Sequence, residues 1–205
     1  VVVRDPRDIY VSLKTIAEKK RQGIASPTFK DSVSPCRFIQ ENRGKNVTAF
    51  TDISNNLGHL DSFFIKYEDL VADPTREMEK VAEFLNISYS DILVEPTNFG
   101  NSWGGNASSL DGFTSIEDSR TEKWKTSLSD SERRLLEYFF HDYLSIWKYK
   151  TPPDQSSKGR IIRDIFSTEL SMKAFDWRRP IKAIYYFSKS LLVVILAIVS
   201  CLTSR

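Results

Sequence analysis

The chain has 205 residues, of which 40% are hydrophobic and 27% are charged. This composition supports a globular core and excludes wholesale disorder. Lys and Arg number 29 against 27 Asp and Glu, a net charge of +2, so we expect no nucleic-acid partner. Two cysteines and two histidines are too few for a disulfide framework or for a metal site built on them, and we expect no metal.

The first elements are a strand and a helix. Val1–Val3 are β-branched and predict the end of a buried strand that is already under way, so we expect the chain to be a fragment of a longer domain. Asp5-Pro6 supplies an N-cap followed by proline at the first helical position. Apolar residues at helical spacing predict the buried face of this helix: Ile9, Leu13, Ile16 and Ala17. Residues 22–37, including Cys36, are expected to be loop.

The same alternation continues along the chain. After a weaker helical period over 50–60, Phe63–Tyr67 predicts a second strand, followed by a loop over 68–72. Asp73-Pro74 starts another helix, for which we expect an apolar face of Met78, Val81, Ala82 and Leu85. The Gly-, Asn- and Ser-rich residues 95–115 predict a flexible or ligand-embracing loop. Ser129 and Glu132 form a capping box before what we expect to be the longest helix, ending at Trp147. Strand and helix in alternation indicate an α/β fold with a parallel sheet.

Arg4-Asp5-Pro6-Arg7-Asp8 lies where the first strand meets the first helix. Ligands of open α/β sheets bind at this carboxyl edge, and a helix N-terminus offers N–H groups to anions. The Arg4 guanidinium suits a phosphate, and the Ser12 hydroxyl lies two turns into the helix. The alternative is structural, with the Arg and the two Asp capping the helix and pairing with one another.

The string Arg4-Asp5-Pro6-Arg7-Asp8-Ile9-Tyr10-Val11-Ser12 resembles the 3′-phosphate-binding motif of sulfotransferases that use 3′-phosphoadenylyl sulfate (PAPS). The resemblance implies that Arg4 and Ser12 bind the 3′-phosphate, while Arg7 and Asp8 stabilise the turn. It also implies a P-loop-NTPase-like parallel sheet flanked by helices over residues 1–150, as a partial domain.

Two later segments resemble the same family. Residues 64–70 imply that Tyr67 lies near the adenine, although a packed strand-end aromatic is the structural alternative. Glu68 and Asp69 are expected to be structural. Residues 97–109 with 119–125 resemble a loop that closes on the nucleotide, which implies Arg120 on the 3′-phosphate. Thr97 and Phe99 flank the adenine in this interpretation, against ordinary loop packing.

The implied reaction transfers a sulfuryl group from PAPS, a cosubstrate, to the hydroxyl or amine of a carbohydrate, lipid, protein or small molecule. The general base and the 5′-phosphosulfate loop are expected upstream of Val1, so the catalytic residues are unknown and this chain alone is expected to be incomplete. Two alternatives stay open. One is a nucleotide-binding module without transfer activity that is tethered to a membrane. The other is a kinase of the P-loop superfamily.

Residues 151–160 are a polar linker, and 161–205 form a basic and aromatic segment that ends in an apolar helix over 191–202. Three interpretations of that end are open: a membrane span, an interfacial helix, and a helix packed on the domain. We expect membrane contact through 177–205 and favour a membrane-associated protein over a freely soluble one. A chain ending at about Lys158 is expected to stay folded.

Overall fold

The computed structural model describes residues 1–23, 33–42, 62–95, 97–98, 100–102, 121–151, 157–169, 194–199 and 201–203. The chain divides into two compact units, which we call the first and second unit. The first contains Val1–Asp31 and Asn56–Lys123, and the second contains Ser32–Asn55 and Trp124–Arg205. The domain boundaries expected from the sequence stay a prediction. The helical period expected over 50–60 lies outside the described residues.

A parallel pair of strands organises the first unit. β1 (Val2–Val3) pairs with β2 (Ile65–Lys66), so that Val2 lies opposite Ile65 and Val3 opposite Lys66. Val3 and Ile65 are buried. Parallel neighbours need a long crossover connection, which is the arrangement of α/β folds. The pair is therefore compatible with the expected fold class, although the described chain is mostly helical; the P-loop-like detail stays a prediction.

The helix after β1 is α1 (Pro6–Arg21), with the bounds that its sequence predicts. The side chain of Asp5 caps it by accepting a hydrogen bond from the Arg7 N–H at 2.9 Å. Three lysines and arginines, Lys19, Lys20 and Arg21, lie in its last turn. Cations at a helix C-terminus interact favourably with the helix dipole, so both ends of α1 follow from local chemistry.

The buried face of α1 differs from the expected one. Of the expected residues, Ala17 is buried, Ile9 and Ile16 are half-buried, and Leu13 is 36% exposed. Tyr10 and Val11, which the expected face does not include, are buried. Arg7 lies on the same face as Tyr10 and Val11, at helical spacing i, i+3 and i+4, and is buried against Asp5. The buried face of α1 therefore includes a charged residue, Arg7, whose burial a hydropathy pattern does not predict.

The segment after β2 is helical rather than the loop expected from the sequence. α3 (Tyr67–Ala72) follows β2 directly, so Tyr67 begins a helix instead of ending a strand. Glu68 and Asp69 lie in its first turn, where carboxylates interact favourably with the N-terminal dipole. Val71 is buried, which gives this short helix a packed side chain.

The next helix, α4 (Pro74–Phe84), starts at the predicted Asp-Pro pair. The Asp73 side chain accepts from the Arg76 N–H at 3.1 Å. Of the expected apolar face, Ala82 is buried, Met78 and Val81 are half-buried, and Leu85 is 55% exposed. A short 3-10 helix (Asp91–Val94) follows.

A small hairpin lies within the segment that the sequence predicts as loop. β3 (Thr97–Asn98) pairs antiparallel with β4 (Asn101–Ser102). The turn includes Gly100 at φ +79°, a left-handed conformation that glycine adopts without steric cost. The rest of the expected loop, 103–115, lies outside the described residues.

The described part of the second unit is a cluster of helices. Its elements are α2 (Pro35–Asn42), α5 (Trp124–Ser127), α6 (Asp130–Phe139), α7 (His141–Ile146) and α8 (Lys158–Glu169). The rings of Phe38 and Phe140 lie 5.7 Å apart between centroids. Ser129 and Glu132 form the predicted capping box at the start of α6.

The helix expected from Ser129 to Trp147 is two helices rather than one. Phe140, with φ −105° and ψ 18°, separates α6 from α7. Backbone hydrogen bonds continue on both sides, from the Phe140 N–H to Leu136 O and from the Leu144 N–H to Phe140 O, each 2.9 Å. The interruption costs no hydrogen bond at these positions. Of the apolar face expected for a single helix, Trp147 is half-buried and the other members are buried: Leu135, Leu136, Phe139, Phe140, Tyr143 and Leu144.

Cys36, expected in a loop, lies in α2 and is fully buried. Its N–H donates to Glu169 Oε1 at 3.1 Å. Burial, followed by the charge of Glu169 and a hydrogen bond to it, raises the pKa of the Cys36 thiol. Burial likewise raises the pKa of Glu169, against the opposing effect of hydrogen bonds from Ser34 and Cys36. Glu169, the last residue of α8, thus accepts a hydrogen bond from the Cys36 N–H at the start of α2.

α8 packs against α6 through apolar and ionic contacts. Ile161 and Ile165 are fully buried, and Arg134 Nε donates to Asp164 Oδ2 at 2.7 Å. Burial raises the pKa of Asp164, but the hydrogen bond and charge of Arg134, with smaller contributions from Ser131 and Arg163, outweigh it and leave that pKa below its usual value. α8 is therefore part of the core of the second unit.

Residues 194–199 and 201–203 are helical. Val194, Ala197 and Cys201 are buried, whereas Ile195, Leu196, Val199 and Leu202 are 48–58% exposed. The Tyr138 hydroxyl lies 3.5 Å from Cys201 O, which places residues 201–203 against α6. Within the described ranges, no helix is long and apolar enough to cross a membrane. Residues 152–156 of the expected linker and 170–193 of the expected tail lie outside those ranges.

Candidate functional site

Arg4 and Tyr67 are the predicted site residues that the structure brings together. Each follows its strand by one residue, at the carboxyl edge of the β1–β2 pair. Both are half-buried. The guanidinium carbon of Arg4 lies 4.2 Å from the centroid of the Tyr67 ring, within the range of a cation–π contact. A positive group therefore lies where α/β proteins bind their ligands.

Arg7 and Asp5 form the scaffold beneath this edge. Arg7 Nε and Nη2 donate to Asp5 Oδ1 and Oδ2 at 3.0 and 2.7 Å, and the two side chains are 1% and 5% exposed. The structural alternative is thus correct for this pair, and the expectation that Arg7 stabilises the turn is confirmed by its contacts. Because the Arg7 guanidinium forms a buried ion pair with the Asp5 carboxylate, we do not place Arg7 among the ligand-binding groups.

The start of α1 differs from the expectation that its N–H groups face an anion. The Arg7 N–H donates to the Asp5 side chain. The Asp8 and Ile9 N–H groups both lie 3.1 Å from Asp5 O. Because Asp5 satisfies these three donors, they are not directed at an anion, and the Arg4 guanidinium supplies a positive charge at this edge.

Two contacts distant in sequence hold the edge together. Glu68 Oε1 accepts from the Asp5 N–H at 3.0 Å, joining the segments that follow β1 and β2. Asp8, 3% exposed, accepts from the Glu122 N–H at 2.8 Å through Oδ2. Glu122 has φ +56°, a left-handed conformation that costs non-glycine residues energy. Glu68 and Asp8 are therefore structural, as the sequence suggests, but no sequence signal identifies the backbone groups that they bind.

The remaining predicted site residues occupy separate positions. Ser12 is exposed on α1, one helical turn after Asp8 and on the same face. Thr97 is exposed in β3. Phe99 and Arg120 lie outside the described residues. The roles of Ser12, Thr97, Phe99 and Arg120 in binding a nucleotide stay predictions.

The Arg4–Tyr67 contact itself is absent from the sequence-based expectations, which treat the two residues as separate ligand contacts. The signal that could have revealed it is positional, since both residues directly follow strands predicted to be parallel neighbours. Whether residues that follow two parallel strands lie side by side depends on the register of those strands. The register became available only from the structure.

Comparison with known proteins identifies the family. No curated protein and no solved structure shows significant similarity to the chain. A family model described as the sulfotransferase domain matches residues 1–153. This match covers most of the 205 residues and contains the parallel strands, α1 and the Arg4–Tyr67 edge. The chain therefore belongs to the sulfotransferase domain family.

Proposed function

We propose that the protein transfers a sulfuryl group from PAPS to an acceptor hydroxyl or amine, and that Arg4 and Ser12 bind the 3′-phosphate of the nucleotide. The observation that carries the proposal is the Arg4 guanidinium at the carboxyl edge of the parallel strands, 4.2 Å from the Tyr67 ring, in a chain of the sulfotransferase domain family. The same edge is where a nucleotide would be bound in an α/β fold.

The chemistry of the donors fits a phosphate group. A guanidinium offers two parallel N–H donors to phosphate oxygens, and a serine hydroxyl offers one more. Arg4 follows a strand whose backbone is held by β2 and by the Glu68–Asp5 hydrogen bond. A donor on a fixed backbone loses less conformational freedom when it binds an anion. Thr97, Phe99 and Arg120 complete the proposed nucleotide-binding set, and Tyr67 belongs to the same site through its contact with Arg4.

The proposed reaction is a displacement at sulfur. The acceptor oxygen or nitrogen forms a bond to sulfur while the bond from sulfur to the bridging phosphate oxygen breaks. The acceptor proton passes to a general base, and the bond electrons leave on the phosphate oxygen of adenosine 3′,5′-bisphosphate. The part proposed for Arg4 and Ser12 is to hold the nucleotide by a phosphate remote from the reacting atoms.

The test is nucleotide binding by Arg4→Ala, measured by isothermal titration calorimetry. The variant should bind adenosine 3′,5′-bisphosphate about 10- to 150-fold more weakly, as expected from losing a charge-assisted contact of about 1.5–3 kcal/mol. Binding of adenosine 5′-phosphate, which lacks the 3′-phosphate, should change little. Arg21→Ala is the matched control, because it removes the same charge from an exposed position at the end of α1.

Equal losses for the two nucleotides would show that Arg4 is structural and would remove the proposed 3′-phosphate contact. Failure of the unaltered protein to bind either nucleotide would contradict the proposed donor. Release of adenosine 3′,5′-bisphosphate from PAPS in the presence of a panel of hydroxyl and amine acceptors would test the transfer itself.

A further inference from the structure

The strand register places Arg4 and Tyr67 as neighbours. Val3 lies opposite Lys66 in the last pair of the two parallel strands. Arg4 and Tyr67 are the residues that directly follow this pair, and Tyr67 is already the first residue of α3. One position further on, the Asp5 N–H donates to Glu68. The strand pairing before Arg4 and Tyr67 and the contact of the Glu68 side chain after them hold the two segments together.

The contact between the two side chains uses a face of the Tyr67 ring. At 4.2 Å from the ring centroid, the guanidinium covers one face of the ring, so a purine cannot stack on that same face. A cation over an aromatic face is attracted by the ring quadrupole. The ring restricts the orientation of the Arg4 side chain. Arg4 therefore loses less rotamer freedom when it binds a ligand.

We propose that Tyr67 is a positioning residue for Arg4: it acts on the nucleotide by orienting the guanidinium toward the 3′-phosphate rather than by offering that ring face to the adenine. The inference rests on the proposed function, because it assumes that Arg4 binds the 3′-phosphate. It adds that the contribution of Tyr67 depends on Arg4 and on that phosphate.

The two roles of Tyr67 predict different results. A residue that orients Arg4 affects only nucleotides that carry a 3′-phosphate, and has no further effect once Arg4 is removed. A residue that stacks on adenine affects both nucleotides, and does so whether or not Arg4 is present. A double-mutant cycle separates the two because it measures whether the effects of two substitutions are independent.

The experiment measures binding of adenosine 3′,5′-bisphosphate and adenosine 5′-phosphate by calorimetry for Tyr67→Leu, Arg4→Ala and the double variant. Tyr67→Leu should weaken binding of the bisphosphate by about 3- to 30-fold, the range of a cation–π contact, and leave the monophosphate within twofold. In the Arg4→Ala background the same substitution should change bisphosphate binding by less than twofold. Tyr89→Leu, at another half-buried tyrosine of the first unit, is the matched control and should change neither.

Tyr67→Phe separates this role from a loss of folding. It keeps the ring face and removes only the hydroxyl, so it should restore bisphosphate binding to within twofold of the unaltered protein. If Tyr67→Leu weakens both nucleotides equally, or weakens the bisphosphate equally with and without Arg4, the inference is overturned. If Tyr67→Phe loses as much affinity as Tyr67→Leu, the hydroxyl is what matters and the inference is also wrong. A protein that binds neither nucleotide overturns the proposed function instead, which distinguishes the two failures.

Discussion

The substitution Asp5→Asn isolates the buried ion pair at the start of α1. Asparagine has nearly the same shape as aspartate and is as good an N-cap, so the hydrogen bond from the Arg7 N–H should persist. The negative charge is lost, however, and Arg7 is only 1% exposed. The guanidinium would then stay buried without its carboxylate, or the first turn would open to let it reach water.

Removing one partner of a buried ion pair costs about 3–5 kcal/mol, because the other charge remains desolvated. Loss of a charge near the helix N-terminus adds about 0.3–1 kcal/mol. Asp73→Asn is the matched control, because Asp73 is also the N-cap of an Asp-Pro helix start and accepts from the Arg76 N–H. Asp73 is exposed, so its substitution should cost only the smaller amount.

Urea unfolding followed by circular dichroism gives the free energy of unfolding of each variant. Asp5→Asn should lie about 3–5 kcal/mol below Asp73→Asn. Adding Arg7→Met should recover most of the loss, because an apolar side chain of similar length leaves no buried charge. If the two single variants differ by less than about 1 kcal/mol, or if Arg7→Met recovers nothing, burial of the ion pair does not stabilise the fold as argued.

Three further predictions concern other contacts. In Asp8→Ala the Glu122 amide should exchange about 10- to 100-fold faster by hydrogen exchange, because it loses a charged acceptor; unchanged exchange would mean that the turn does not depend on Asp8. Because burial raises the pKa of Glu169, its contribution to stability is present below its ordinary pKa of 4.5 and is lost as the pH rises through the raised value. The unfolding free energy of the unaltered protein should therefore fall relative to that of Glu169→Gln as the pH rises above 4.5, and parallel pH curves would refute this. A chain ending at Lys158 should melt at a lower temperature, since it loses the buried side chains of Ile161 and the rest of α8; an unchanged melting temperature would favour the sequence-based expectation that it stays folded.

Features that depend on residues close together along the chain could be predicted from the sequence. An N-cap followed by proline predicts the starts of α1 and α4, and the Ser129–Glu132 capping box predicts the start of α6, because these interactions close within one helical turn. The β-branched and aromatic runs predict both strands of the sheet. The motif beginning at Arg4 predicts the family, and the family model confirms it.

How these elements pack against one another could not be predicted in the same way, because it depends on residues that are far apart along the chain. The buried face of α1 includes Arg7, a charged residue that a hydropathy pattern assigns to the surface, whereas the apolar Leu13 is 36% exposed. Asp8 binds a backbone N–H 114 residues away, and Glu169 binds one 133 residues away. Backbone N–H groups are the same in every residue except proline, so sequence carries no label for such partners. The contact between Arg4 and Tyr67 likewise depends on strand register, which long-range pairing sets and which local residue preferences leave open.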